Sequence, residues 1–313
     1  MSEKNNWSHY WAQGHKTSFG DSFKDCYEGI LKKEWLDVFS NLDNGDNVLD
    51  LCTGNGSLPR LAQGNLENFS KINFYGVDYA VMKKEDPFIA LDNIKFTFDC
   101  NIESLPYADG EMDYIISNYG VEYSNLHKSI PEVSRVMKKS GRAVFICHCN
   151  SSRIYKENQT ELTLLTFLLK QGGLIDVLGA LIELLELKKM TSNEGALLRL
   201  SHEAEHYRNT LNSKLADALN EFGVSFHQSD FVHFMKYIMN KSISEKGDKF
   251  FAYREETVSH KSRLYALCSA AIKIEGLQDT IELFNTVDLK LLHKKIITDE
   301  KGIIAIKFDL QKY

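Results

Sequence analysis

The sequence predicts an α/β fold built on a mostly parallel sheet, and three observations carry that prediction. Short runs rich in β-branched and aromatic residues alternate with helical patterns through about the first 150 residues. A turn with two glycines, Gly54-Asn-Gly56, separates an apolar run from a helical one. Near the end, two extended runs joined by Asp299-Glu-Lys-Gly302 have the pattern of an antiparallel hairpin, so the sheet is mixed at one side.

The elements follow in order. Asn47–Leu51, Ile72–Val77, Ile94–Phe98, Asp113–Ser117 and Arg142–Ile146 read as strands separated by helical connections, the pattern of βαβ units. All four prolines fall in the first 131 residues, and from about Ser152 to Ser259 the signal is helical. Apolar residues recur at three and four spacing in Leu162–Leu187 and in Ala204–Phe222, where Gly223 is a natural stop. A further helix is expected at Ser262–Phe284, followed by the hairpin strands Leu289–Ile297 and Ile303–Leu310. The expected organisation is an N-terminal helical lid over 1–42, a core over 43–150 and 259–313, and a helical insertion over 151–258.

Composition narrows the function classes. With 313 residues, 43% hydrophobic and 26% charged, the chain can bury a substantial core and is no disordered or fibrous protein. Its net charge of -6 offers no overall footprint for nucleic acid or an anionic membrane. The cysteines lack any Cys-x-x-Cys pair, and the start MSEKNNWSHYWAQGH lacks the basic and apolar parts of a signal peptide. A reducing cytoplasm is therefore the expected location. Leu162–Leu187 is interrupted by Lys170, Asp176, Glu183 and Glu186, so it reads as a buried or partner-facing helix and not as a membrane span.

The chemistry concentrates after the first strand, in Asp50-Leu-Cys-Thr-Gly-Asn-Gly-Ser57. Glycines there let backbone approach a ligand, and the amides of the following helix start favour anionic groups. Asp78 ends the next strand, at the distance where a carboxylate accepts ribose hydroxyls in nucleoside sites. A dinucleotide fingerprint wants a third glycine at position 59, and this chain has Pro59, which argues against a nicotinamide cofactor.

Taken together these residues resemble the class I S-adenosylmethionine-dependent methyltransferases, over about Asn47 to Cys149. Val48-Leu-Asp-Leu-Cys-Thr-Gly-Asn-Gly56 is similar to the family's first motif and Gly76-Val-Asp78-Tyr79 to its acidic second motif. Asn101-Ile-Glu-Ser-Leu-Pro106-Tyr107 and Asp113-Tyr-Ile-Ile-Ser-Asn118-Tyr-Gly120 resemble the stretches that bracket the adenine and reach the substrate. Val136-Met-Lys-Lys-Ser-Gly141-Arg142 resembles the turn before the fifth strand.

The resemblance implies a Rossmann-like, doubly wound sheet of seven strands ordered 3-2-1-4-5-7-6 with one antiparallel strand. It implies S-adenosylmethionine as cofactor and S-adenosylhomocysteine as product. The loop Cys52, Thr53, Gly54, Asn55, Gly56 would receive the methionine part, Asp78 the ribose, and Tyr79 with Ile102 the adenine. Asn118 and Tyr119 would lie beside the sulfonium, and Asp50 would balance the ammonium. Two positions depart from the pattern: Asn101 stands where many relatives have aspartate, and Cys52 where glycine is commonest. The Asn101 amide oxygen can still accept from an amino group, without the charge.

Methyl transfer from a sulfonium needs alignment and exclusion of water more than covalent help, and a base only when the acceptor arrives protonated. His148, Glu122 and Tyr123 follow the fifth and fourth strands and are the candidate catalytic groups; each has a structural alternative as a packing or positioning residue. Tyr10, Trp11 and His15, in the aromatic segment that runs on to Phe19-Gly20, are candidates for a lid. The insertion is the expected wall of the acceptor pocket, with a homodimer seam along its leucines or plain core packing as the alternatives.

His202-Glu-Ala-Glu-His206 matches the His-Glu-x-x-His zinc signature, but Glu205 is charged where zinc-peptidase helices are apolar, and no metal site is expected. Two function classes follow. One is a methyltransferase acting on an oxygen or nitrogen nucleophile of a small molecule or peptide, without nucleic acid or membrane as partner. The other is a scaffold or regulator that binds the cofactor without catalysis.

Overall fold

Residues adjacent in a strand point to opposite faces, and that alternation sorts the apolar side chains into two layers. Val48, Ile116 and Val144 pack on one face with Leu31, Trp35, Leu58 and Leu61, while Leu49, Ile115 and Phe145 pack on the other with Ile130, Val133, Leu277 and Phe284. The computed structural model describes residues 3–18, 27–82, 87–240 and 242–313. Phe19-Gly20, part of the expected lid, lies outside the described residues.

The strands are β1 (Asn47–Leu51), β2 (Asn73–Asp78), β3 (Ile94–Phe98), β4 (Met112–Asn118), β5 (Met137–Cys147), β6 (Leu289–Asp299) and β7 (Gly302–Lys312). They form one sheet in the order β3-β2-β1-β4-β5-β7-β6. β7 is the reversed strand, antiparallel to both β5 and β6, and the other neighbours pair in parallel. The expected topology is therefore present. β5 starts five residues earlier than Arg142, and the turn expected there is taken up within the strand by Ser140 in a left-handed conformation (φ 64°). β6 is an outer strand of the sheet and exposes Lys290, His293, Lys294 and Lys295.

Helices α1 (Glu3–Ala12), α2 (Gly29–Phe39), α3 (Ser57–Gln63) and α4 (Leu126–Val136) belong to the first of two compact units, residues 1–157 with 266–313. Residues 158–265 make the second unit, which is helical. Its run Leu162–Leu187, expected as one helix, is two: α5 (Arg153–Leu168) and α6 (Leu174–Met190) break at Gly172-Gly173, where Gly172 takes φ 63°. α7 (Glu194–His227) does change direction at Gly223 (φ 53°, ψ -121°) but resumes helical geometry as far as His227. α8 (Asp230–Met239) follows. The helix expected at Ser262–Phe284 is instead the end of α9 (Lys246–Ala270) and the separate α10 (Leu277–Asn285). The second unit encloses its own apolar seam, including Leu168, Ile175, Leu178, Leu181, Phe231 and Ile238. No helix among the described residues is long and apolar enough to cross a membrane.

Candidate functional site

β1, β2 and β4 end together, and parallel strands leave their ligand crevice outside such carboxyl ends. After Leu51 the chain turns through Cys52 (φ 56°), Gly54 (φ 54°) and Gly56 (φ 80°), and the Thr53 amide closes the turn on the Val77 carbonyl at 2.9 Å. Cys52 is a non-glycine residue held left-handed, which costs backbone energy of order 1–3 kcal/mol and marks a constrained loop. Gly54 must be glycine twice over: its φ is positive, and an added Cβ would lie 2.7 Å from the Trp11 ring.

Asp78, 6% exposed, fixes this loop to the next one. Its Oδ2 accepts from the Gly54 amide and its Oδ1 from the Ala80 amide, each at 2.8 Å. Each oxygen keeps a further lone pair, and the side chain borders the cleft. Burial pushes the Asp78 carboxyl up to about 6 against the two amide bonds. Asp50 lies one layer deeper. Its Oδ2 accepts from the Thr53 hydroxyl at 2.6 Å, and burial, with a smaller contribution from Asp78, pushes its carboxyl to about 8. At neutral pH it is mostly protonated, so the role expected for it as a counter-charge is not supported in the free chain.

Beyond β4, Tyr119 takes φ 55° and lays its ring against the cleft, with the His148 ring stacked behind it at 4.2 Å. The next residue, Gly120, has room only for hydrogen, since a Cβ would meet Cys52 Cβ at 2.5 Å. A 3₁₀ turn, Val121–Tyr123, then sends Tyr123 to the cleft and Glu122 inward. Glu122 Oε1 accepts from the His148 amide at 2.8 Å, and burial pushes the carboxyl to about 7.

α1 covers these strand ends. Ser8 Oγ accepts from the Val81 amide at 2.9 Å, and Asn55 Nδ2 donates to the carbonyls of Trp11 (3.1 Å) and His15 (2.7 Å). Lys4 pairs with Asp99, and Ser57 Oγ donates to the Lys16 carbonyl. The helix thus bridges segments that follow β1, β2 and β3. Its Trp7 and Trp11 rings stack at 6.2 Å and border a cleft of about 300 Å3, near the lower size limit of small-molecule sites.

A family model described as a methyltransferase domain matches residues 42–204. The chain belongs to that methyltransferase family. No curated protein sequence matches it. Among solved structures, an S-adenosylmethionine-dependent methyltransferase from Aquifex aeolicus is 23% identical over 39% of this chain and 66% of its own, with a TM-score of 0.32. The chain therefore spans just under two thirds of the Aquifex protein's length. The YcgJ protein of Bacillus subtilis is 14% identical over 91% and 99% of the two chains (TM-score 0.36). An S-adenosylmethionine-dependent methyltransferase of Methanosarcina mazei is 12% identical over 88% and 96% (TM-score 0.39).

Within this family member, the cleft gathers Trp11, Cys52, Asp78, Tyr79, Asn101, Ile102, Tyr119 and Tyr123 from the residues expected on sequence grounds. The backbone of Thr53, Gly54, Asn55 and Gly56 shapes the loop, but these residues do not line the cleft. Asn118 turns away from it and accepts from Trp35 Nε1 at 2.8 Å. Tyr10, 6% exposed, donates its hydroxyl to the Thr17 carbonyl and stacks on His15 at 4.4 Å, so these two brace the lid from outside the cleft.

His148 is 1% exposed, absent from the cleft wall, and pushed by burial to about 3. A proton taken there has no solvation, so His148 is a support for Tyr119 and a poor base. Glu122 is likewise walled off. Of the three catalytic candidates, only Tyr123 reaches the cleft. Residues that sequence reasoning missed are Trp7, Ser18, Ala80, Glu103, Gly120 and Ser124. The spacing of Trp7 and Trp11, four residues apart on one helix, was the available signal for Trp7.

His202 and His206 are exposed on α7, where the intervening Glu205 pairs with Arg208. Among the described residues no group of three or more His, Cys, Asp or Glu side chains is placed to hold a metal. The helix face is a solvated one.

Proposed function

We propose that this chain is an S-adenosylmethionine-dependent methyltransferase acting on an oxygen or nitrogen nucleophile of a small-molecule acceptor. The observation that carries the reading is the Asp78 arrangement: a buried carboxylate, tied to the amides of Gly54 and Ala80, that still presents lone pairs to a cleft at the ends of β1 and β2. A nucleoside with two adjacent ribose hydroxyls fits that acceptor pattern. The side chain missing at Gly120 lets the turn after β4 pack directly against Cys52, which holds the two strand-end loops together beside the cleft.

When bound, the cofactor supplies the activated methyl group. The residues of this chain supply the rest. Asp78 would accept from the ribose, Asn101 and Ile102 would border the base, and Cys52, the residue of the Cys52–Gly56 loop that lines the cleft, would face the amino-acid end. Asn101 Oδ1 is already engaged by the Glu103 amide at 2.9 Å, which fixes the side chain in one orientation. Tyr119 and Tyr123 flank the reacting region with ring faces and edges, a surface suited to a positive centre. α1, closed over the loop by Trp11, excludes water. Apart from Asp78, which the ribose would occupy, no buried carboxyl or imidazole lines the cleft among the described residues, which accords with an acceptor that attacks unprotonated.

The test is turnover. Purified full-length protein is incubated with methyl-labelled cofactor and a metabolite extract, and labelled products are sought by mass spectrometry. Label transferred to a small molecule supports the reading. Saturable cofactor binding with no transfer to any extract would replace it with the scaffold alternative.

A further inference from the structure

The cleft is lined by two groups of residues of different chemistry. Asp78, Asn101 and Ile102 are accounted for by a nucleoside. Trp7, Trp11, Tyr123 and Glu103 form an aromatic and acidic mouth, in which the cofactor reading draws on Trp11 and Tyr123 and leaves Trp7 and Glu103 unassigned. These four are physically continuous. The Trp7 ring meets the Tyr123 ring edge-on at 5.7 Å and stacks on Trp11, while Glu103 Oε1 accepts from the Asn125 amide at 3.1 Å, two residues beyond Tyr123.

We infer that this mouth takes a basic amine, so that the methyl acceptor is a nitrogen carried by a small organic cation; the inference rests on the methyl-transfer reading of the same cleft. Aromatic faces attract an ammonium through the ring quadrupole, and best when the site is partly desolvated. Glu103 adds a negative charge at the rim. Among the described residues Lys128 pairs with it at 3.4 Å; the Lys128 side chain is 63% exposed, and an ion pair that open to water is weak and readily displaced. Asp78, the other charged residue among the described lining, is also acidic. Lys4 approaches the cleft from outside, over the Tyr79 ring at 5.3 Å, and it is already paired with Asp99. A carboxylate or phosphate acceptor would therefore meet rings and like charge, whereas an ammonium meets rings and opposite charge.

The chemistry balances without another reactant. The bound ammonium gives one proton to solvent at the open mouth. Its nitrogen lone pair then forms the N–C bond to the methyl carbon as the C–S bond breaks. The electron pair of that bond returns to sulfur, leaving a neutral thioether, and the methylated ammonium carries the charge away. A rate that rises with pH until the amine's own deprotonation is complete follows from that order of steps.

The experiment is a matched panel on the full chain. Phenethylamine, 2-phenylethanol and 3-phenylpropionate share one ring and nearly one length and differ in the terminal group. Binding of each to the protein saturated with S-adenosylhomocysteine is measured by calorimetry, with methyl transfer from S-adenosylmethionine followed in parallel. The expected result is that the amine binds at least about tenfold tighter than the other two. Glu103→Gln, which keeps an acceptor for the Asn125 amide and removes the charge, should reduce that preference about tenfold while S-adenosylhomocysteine affinity stays unchanged. Tyr123→Leu should act in the same direction through the rings. Preference for the alcohol or acid, or no binding of the amine by a protein that does bind S-adenosylhomocysteine, overturns the amine inference and leaves the cofactor reading standing. Failure to bind S-adenosylhomocysteine overturns both.

Discussion

The two compact units of this chain bury different things. In the helical unit the interior is almost wholly apolar, and among the described residues its one buried charged side chain, Lys246, donates to the carbonyls of Ile238 (2.5 Å) and Asn240 (2.7 Å) at the end of α8. The sheet-bearing unit buries Asp50, Asp78, Glu122 and His148 at or behind the ends of its strands. Burying ionisable groups costs free energy unless each is paired or neutral, so their concentration at one sheet end marks where folding was compromised for chemistry. The helical unit shows no such compromise in its core.

That contrast can be broken most forcefully with Leu178, fully buried in α6. Leu178→Ala should lower the stability of the helical unit by about 2–5 kcal/mol, read from urea unfolding followed by circular dichroism. The folded fraction should bind S-adenosylhomocysteine with unchanged affinity. A parallel loss of affinity would show that the two interiors are energetically one.

The next effect belongs to the sheet unit. Asp78→Ala removes charge-assisted hydrogen bonds and should weaken S-adenosylhomocysteine binding by about 1–3 kcal/mol in calorimetry. Wild-type affinity in a folded variant would contradict the map of the cleft. A large loss of folding would instead assign Asp78 mainly to holding Gly54 and Ala80 together.

The smallest effect is electrostatic, and its sign follows from which state holds more protons. Asp50 and Glu122 are raised to about 8 and about 7 by burial, so above the ordinary carboxylate range the folded chain binds protons that the unfolded chain has already released. Their contribution is full at low pH and lost as pH rises through those values. His148 works oppositely: lowered to about 3, it stays neutral while the unfolded imidazole charges below 6.5, so its effect is exhausted above that pH. Between pH 6.5 and about 8 the acids act without that opposition, and the cofactor-free protein should lose stability across this window. Urea midpoints at the two ends measure it, and Glu122→Gln should flatten the slope. A rising midpoint would refute the assignment of neutral buried acids.

The fold was legible because its signals are periodic or punctuated. Strand alternation, the Asp78 spacing and the terminal turn at Gly302 each leave a local mark, and the sheet order followed from the resemblance they support. Helix ends were less legible. Gly172-Gly173 interrupts a run whose leucines keep helical spacing on both sides, so hydrophobic period alone reads through the break. In the cleft, Trp11, Asp78, Tyr79, Ile102 and Tyr123 stand in the lining, whereas the directions taken by His148 and Asn118 were not legible. His148 follows β5 as expected, yet it packs behind Tyr119, and Asn118 rotates toward Trp35. Neither orientation has a signature in spacing, because both depend on partners far away in the chain. Trp35 lies 83 residues before Asn118.

The exposed basic row on β6 reaches beyond this site. An unpaired strand edge is a template for another molecule's backbone, and crowded solutions of such proteins can grow sheets across it. Two copies meeting antiparallel about the middle of β6 would bring its exposed Lys290, His293 and Lys294 close to those of the other copy, while Lys295 of each is paired with its own Glu34. Like charges set across a ladder oppose pairing. Such an edge would disfavour fibre-like growth along the margin of the sheet.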